Sequence, residues 1–182
     1  MAQRHLILLT DIGDTVIDEE SENHPYGTEL VLSARCIPGA REAYLKLHEE
    51  GFVIAMVADG LSRSFHNTMR QHGLDHIFSA WINSEQMGCS KPDVRMFEAA
   101  FRALNLRDED KERVLMVGNN VKRDILGASR FGIRSILMDW SRRRPYDAEQ
   151  EGEIPTYRIH TPSELPVLMM ELEAAWVRGH RG

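Results

Sequence analysis

The sequence predicts a doubly wound α/β fold with a mostly parallel sheet and helices on both faces. Three observations lead there. Short apolar runs alternate with segments of helical period along most of the chain. Gly51, Gly73 and Gly132 stand just past three of the helical segments, where a helix end favours a residue free to take positive φ. Regular strand–helix alternation calls for crossover connections, which run strands parallel and lay helices over the sheet.

The elements follow in order. His5 to Thr10 is a strand, because Leu6 to Leu9 form an apolar run of strand length. A helix over Ala40 to Glu50 is closed by Gly51, and an apolar strand at Phe52 to Ala58 comes next. A helix over Ser62 to His72 is closed by Gly73 and leads to a strand at Phe78 to Ile82. Asp93 to Leu104 and Val121 to Phe131 have helical period, with a strand at Val114 to Val117 between them. After Gly132 come a strand at Arg134 to Met138 and a weaker one at Tyr157 to Ile159. Thr161-Pro162-Ser163-Glu164 reads as a capping box with Pro at the first helical position, starting a helix over Pro162 to Val177. Two stretches leave the alternation. Val16 to Ile37 is expected to form a hairpin or a short helix over the strand ends, and Ser141 to Pro155 a charged surface loop.

At 182 residues the chain is expected to be one domain, 1–182, with 16–37 as a small flap and no large cap domain. An apolar fraction of 42% and a charged fraction of 27% are ordinary for a soluble protein. A net charge of −6 argues against a nucleic-acid partner, which needs a basic face. No apolar run reaches a membrane span, so no membrane partner is expected. Acids and a turn follow the short run after Arg4 in place of a small-residue cleavage site, so a cytoplasmic location with no signal peptide is expected. Cys36 and Cys89 are expected as free thiols, and the eight histidines show no metal-ligand spacing.

Four strand ends bear polar residues: Asp11, Gly13, Asp14 and Thr15; Ala58-Asp59-Gly60; Gly88-Cys89-Ser90-Lys91-Pro92; and Gly118-Asn119-Asn120 leading to Asp124. In a doubly wound sheet these ends converge on one crevice. Acids, a lysine and amides gathered there suit a divalent cation held by oxygens, with a cationic side chain facing a phosphate.

These residues resemble the haloacid dehalogenase-like superfamily, most of whose members are phosphatases. The likeness runs from Leu6 to Leu172: Asp11 with Thr15, Ile37-Pro38-Gly39-Ala40 with Leu47 and Gly51, Lys91-Pro92-Asp93 before Met96 to Ala100, and Val117-Gly118 through Asp124 to Ala128, then Gly132. The resemblance implies a Rossmann-like fold and a hydrolase acting on a small phosphorylated substrate with Mg²⁺. Asp11 would be the nucleophile and Lys91 would neutralise it and the phosphate. Asp11, the Gly13 carbonyl and Asp124 would hold the metal. Thr15, Ala58, Asp59, Gly60 and Asn119 would face the substrate. An open, capless crevice would be covered by a second copy, as a homo-oligomer, or would admit larger substrates.

Three positions depart from the pattern. Gly13 stands where the superfamily's phosphatases carry a general acid, and Asp14 falls one residue too late, redirected by the turn. Ala58 replaces a hydroxyl residue, and Asn119 replaces an acid. Two alternatives are therefore carried: a catalytically impaired member that binds a phosphorylated ligand or a protein, and a haloacid dehalogenase, which needs no proton for its leaving group. Bland readings also stand: Asp14 and Thr15 as turn supports and Asp59 as a turn residue. Arg142 to Arg144, and likewise Lys122 and Arg123, either meet an anionic substrate or are solvated charges.

Overall fold

A computed structural model describes residues 4–180; the expected domain limits at 1 and 182 lie outside them. Six strands form one sheet: β1 (Ile7–Thr10), β2 (Val53–Ala58), β3 (Phe78–Asn83), β4 (Val114–Gly118), β5 (Arg134–Met138) and β6 (Tyr157–Ile159). Their order is β3-β2-β1-β4-β5-β6, and every pairing is parallel. The helices are α1 (Ala40–Glu49), α2 (Ser62–Gln71), α3 (Ser84–Met87), α4 (Val94–Ala103), α5 (Leu126–Phe131) and α6 (Leu165–Gly179).

The alternation of side chains along each strand builds two cores. Leu6 and Leu8 join Ile54, Met56, Leu115 and Val117 against Tyr44 and Leu47 of α1, Phe65 and Met69 of α2, and Leu165 and Met169 of α6. Ile7 and Leu9 join Ala55, Val57 and Met116 against Phe97 and Phe101 of α4 and Phe131 of α5. Both faces of β1 are therefore dry, which is why its sequence is a continuous apolar run rather than an alternating one. This holds its last residues, and Asp11 after them, at a fixed height on the sheet edge.

The start of β1 is fixed by α6. Glu173 lies 3% exposed and accepts from the backbone N–H of His5 (3.0 Å) and of Leu6 (2.9 Å). Burial alone would push this carboxyl up, but those two donors and the His5 side chain outweigh it and bring it below its ordinary value. Asp93 caps α4, accepting from Arg95 N at 3.0 Å. The capping box before α6 is present, although Pro162–Glu164 form a 3-10 turn before the α-helix begins. Gly51, Gly73 and Gly132 take positive φ as expected, and both cysteines are free.

Two expectations change and a third resolves. The helix expected over Val121 to Phe131 opens with a π-helical turn, Val121–Ile125, whose wider winding is common near functional sites. The segment 16–37 combines both forms foreseen for it. A 3-10 turn at Glu19–Ser21 precedes hairpin-like pairing, with Asn23 N donating to Ser33 O and Leu32 N to Asn23 O, each at 2.8 Å. The loop after β5 is not merely a solvated surface. Arg143 turns inward because Asp14 and Asp18 present carboxylates that its guanidinium can join.

Candidate active site

The carboxyl ends of β1, β2 and β4 and the loop before α4 meet in one cleft of about 200 Å³. Asp11 follows β1 directly, its N–H donating to Val117 O at 2.9 Å. Lys91 enters from the loop before α4 and is 3% exposed. Its ammonium donates to Asp11 Oδ1 (2.8 Å), Asp124 Oδ1 (2.6 Å) and Val57 O (2.8 Å). Burial alone would push this ammonium down; Asp11, Asp124 and Asp59 outweigh it and hold it above its ordinary value. Burial raises Asp11 to about 6, helped by Asp124 and opposed by Lys91.

Asp124 lies on the π-helical turn, 1% exposed, and its Oδ2 accepts from Asn120 N at 2.9 Å. The chain beneath it must be glycine. A Cβ on Gly118 would overlap the Asp124 carboxyl and lie 2.6 Å from its Cβ. Asp59 also does structural work, its Oδ1 accepting from Lys91 N at 3.0 Å. Asp59, Gly60 and Asn119 line the cleft with Asp11, Gly13, Lys91 and Asp124.

Thr15 and Ala58 do not. Both are buried, at 0% and 1% exposure, and neither reaches the cleft wall. The turn after β1 folds Thr15 back so that its N–H donates to Ile12 O at 3.2 Å, and Ala58 packs into the core beneath α2. The Thr15 hydroxyl is buried there without a hydrogen-bond partner.

Asp14 points away from the cleft. It is fully buried at φ +49°, accepts from Glu19 N at 3.1 Å, and forms a two-pronged pair with Arg143. Arg143 also donates to Asp18 (2.9 Å) and Glu20 (3.2 Å). Glu19, to which no motif pointed, also lines the cleft and lies 3.3 Å from Arg144 as an ion pair. Burial first, then the charges of Asp14 and Asp11, push the Glu19 carboxyl up against the pull of Arg144. Their signal in the sequence was charge complementarity: an acidic run, Asp18-Glu19-Glu20, and a basic run, Arg142-Arg143-Arg144.

Asp11, Asp124, the Gly13 carbonyl and the Asn119 amide are all hard oxygen donors, the set a magnesium ion takes. Among the described residues no group of three or more His, Cys, Asp or Glu forms a metal cluster. A magnesium ion uses one or two carboxylates and keeps several waters. Asn119 is 2% exposed and its Nδ2 has no partner, a buried donor facing a cleft without its acceptor. The donors present thus fit a magnesium ion with its water shell.

The profile of the haloacid dehalogenase-like hydrolases matches residues 4–132. A glyceraldehyde 3-phosphate phosphatase of Pyrococcus furiosus is 31% identical over 76% of this chain and 55% of its own length. One from Methanopyrus kandleri is 27% identical over 86% and 77%. A phosphoserine phosphatase of Thermus thermophilus is 31% identical over 62% and 44%. The chain spans about half the length of most of these curated relatives. Among solved structures, the HAD-hydrolase YfnB of Bacillus subtilis bound to magnesium superposes with a TM-score of 0.72 at 19% identity, covering 92% of this chain and 99% of that one. A dehalogenase with its intermediate gives 0.71 at 17%, covering 93% and 99%. At these identities the structural likeness bears on the fold alone. No helix among the described residues is long and apolar enough to cross a membrane.

Proposed function

Because this chain belongs to the haloacid dehalogenase-like hydrolase family, we propose that it is a magnesium-dependent phosphatase working through an aspartyl-phosphate on a small phosphate ester or anhydride. The observation that carries the reading is Lys91, buried between the Asp11 and Asp124 carboxylates at 2.8 and 2.6 Å. A lysine so placed holds Asp11 as the carboxylate a nucleophile requires, and offers a compact positive charge to an incoming phosphate.

Asp11, the Gly13 carbonyl and Asp124 would hold the metal, which when bound neutralises phosphate charge beside the nucleophile. Asp11 attacks phosphorus, and water then cleaves the acyl phosphate. Asp59, Gly60 and Asn119 line the cleft, and Ile17, Glu19 and Val31 of the segment 16–37 line it with them. Catalysis of this kind rests on positioning and charge stabilisation.

The test is phosphate release from aryl, sugar, nucleotide and acyl phosphates with and without Mg²⁺, beside Asp11→Asn. Mg²⁺-dependent turnover lost in the variant is expected. No release above the variant on any ester would overturn the reading.

A further inference from the structure

The phosphatase reading leaves one task unassigned, because Gly13 has no side chain to protonate a leaving group. We infer that Glu19 is the general acid and base of this site, its carboxylate occupying the space that a side chain at position 13 would fill. A Cβ built on Gly13 would overlap Glu19 Oε1 and lie 3.0 Å from its Cδ and 3.1 Å from its Cγ. The two positions share one volume, so the carboxylate is supplied from a neighbouring turn instead of from the strand end.

The local structure explains how Glu19 arrives there. Asp18 caps the 3-10 turn, accepting from Glu20 N at 3.2 Å. Asp14 accepts from Glu19 N at 3.1 Å and is itself held by Arg143. The acid displaced to position 14 therefore has a use: it anchors the backbone of the residue that replaces it. Arg144 takes the other Glu19 oxygen at 3.3 Å, which fixes the carboxylate's direction. Glu19 shares the cleft wall with Asp11, Lys91 and Asp124.

The chemistry balances in two steps. As an Asp11 oxygen bonds to phosphorus, the bond from phosphorus to the leaving oxygen breaks, and the Glu19 carboxyl gives that oxygen its proton, releasing an alcohol. Water then attacks the same phosphorus, the bond to Asp11 breaks, and the Glu19 carboxylate takes the water's proton as inorganic phosphate leaves. Glu19 touches the reacting atoms in both steps.

This assignment rests on the phosphatase reading, and the experiment separates the two. Wild type, Glu19→Gln and the double variant Gly13→Asp/Glu19→Ala are compared with Mg²⁺ on alkyl and nitrophenyl phosphates. Phosphoryl-enzyme is followed by intact mass after acid quench. Glu19→Gln should lose about 10²–10⁴-fold on alkyl esters and much less on nitrophenyl phosphate, whose leaving group needs no proton. It should also accumulate phosphoryl-enzyme, because the second step lacks its base. The double variant should regain much of the alkyl-ester activity. Equal activity of wild type and Glu19→Gln on both esters overturns the assignment and leaves the phosphatase reading standing. An equal loss on both esters with no phosphoryl-enzyme also overturns it, as the mark of a structural role. A wild type without turnover overturns both.

Discussion

Arg143 Nε donates to Asp14 Oδ2 at 2.8 Å, joining the loop after β5 to the turn after β1 across 129 residues of chain. The carboxylate is fully buried and the guanidinium partly exposed. Removing the arginine leaves a buried charge with one backbone N–H for company. Arg143→Ala should lower stability by about 1–3 kcal/mol, below the cost of a fully buried pair because water reaches the guanidinium. Arg142→Ala, at an exposed neighbour, should change little. Urea denaturation checks this; equal midpoints for the two variants would contradict it.

Lys91→Met removes the one ammonium between Asp11 and Asp124. Stability without metal should fall by about 3–5 kcal/mol, the range for breaking a buried pair by deleting one partner. Added Mg²⁺ should narrow the gap to wild type, since a cation on the same carboxylates replaces the lost charge. Thermal melts in chelator and in Mg²⁺ measure both. A gap that Mg²⁺ does not narrow would count against the two acids sharing a metal.

Gly118→Ala places a methyl group where the Asp124 carboxyl lies. Overpacking of this kind costs about 1–3 kcal/mol, but the larger effect should be on function. The displaced carboxylate can no longer meet Lys91, so Mg²⁺ affinity measured by calorimetry should fall together with activity. Unchanged Mg²⁺ affinity would show that Asp124 is not a ligand.

Glu173 gives a pH-dependent contribution to the fold. Its native pKa lies below its ordinary value of 4.5. Its stabilisation is therefore present above that value and is lost as pH falls through the lowered native one. Glu173→Gln should cost about 1–3 kcal/mol at neutral pH. The gap to wild type should close on acidification, read by denaturation from about pH 7 to about pH 3. A constant gap would remove Glu173 as the source.

The sheet and the Asp11, Lys91 and Asp124 cluster were legible because each depends on near neighbours in sequence. Apolar runs set the strands, and a parallel sheet sends every carboxyl end to one edge, so residues just past those runs had to meet. Asp93 capping α4 and the Thr161–Glu164 box were legible for the same local reason. The role of Glu19 was not. It depends on the empty volume at Gly13, on a 3-10 turn, and on the arginine pair from the far end of the chain. The burial of Thr15 and Ala58 was not legible either, because a motif names a position, while the turn after β1 and the core under α2 decide where each side chain packs.

The segment 16–37, which lines the cleft with Ile17, Glu19 and Val31, is stitched to α2. Val31 N donates to Ser64 Oγ, Asn67 Nδ2 to Val31 O, Ala34 N to Gln71 Oε1 and His72 Nε2 to Ala34 O, all between 2.7 and 3.1 Å. A segment already fastened in the free protein gives up little conformational entropy when a ligand arrives. On the proposed function, selection at this cleft would rest on the fit of a preformed mould, and the departure of product need not wait on a gate swinging clear.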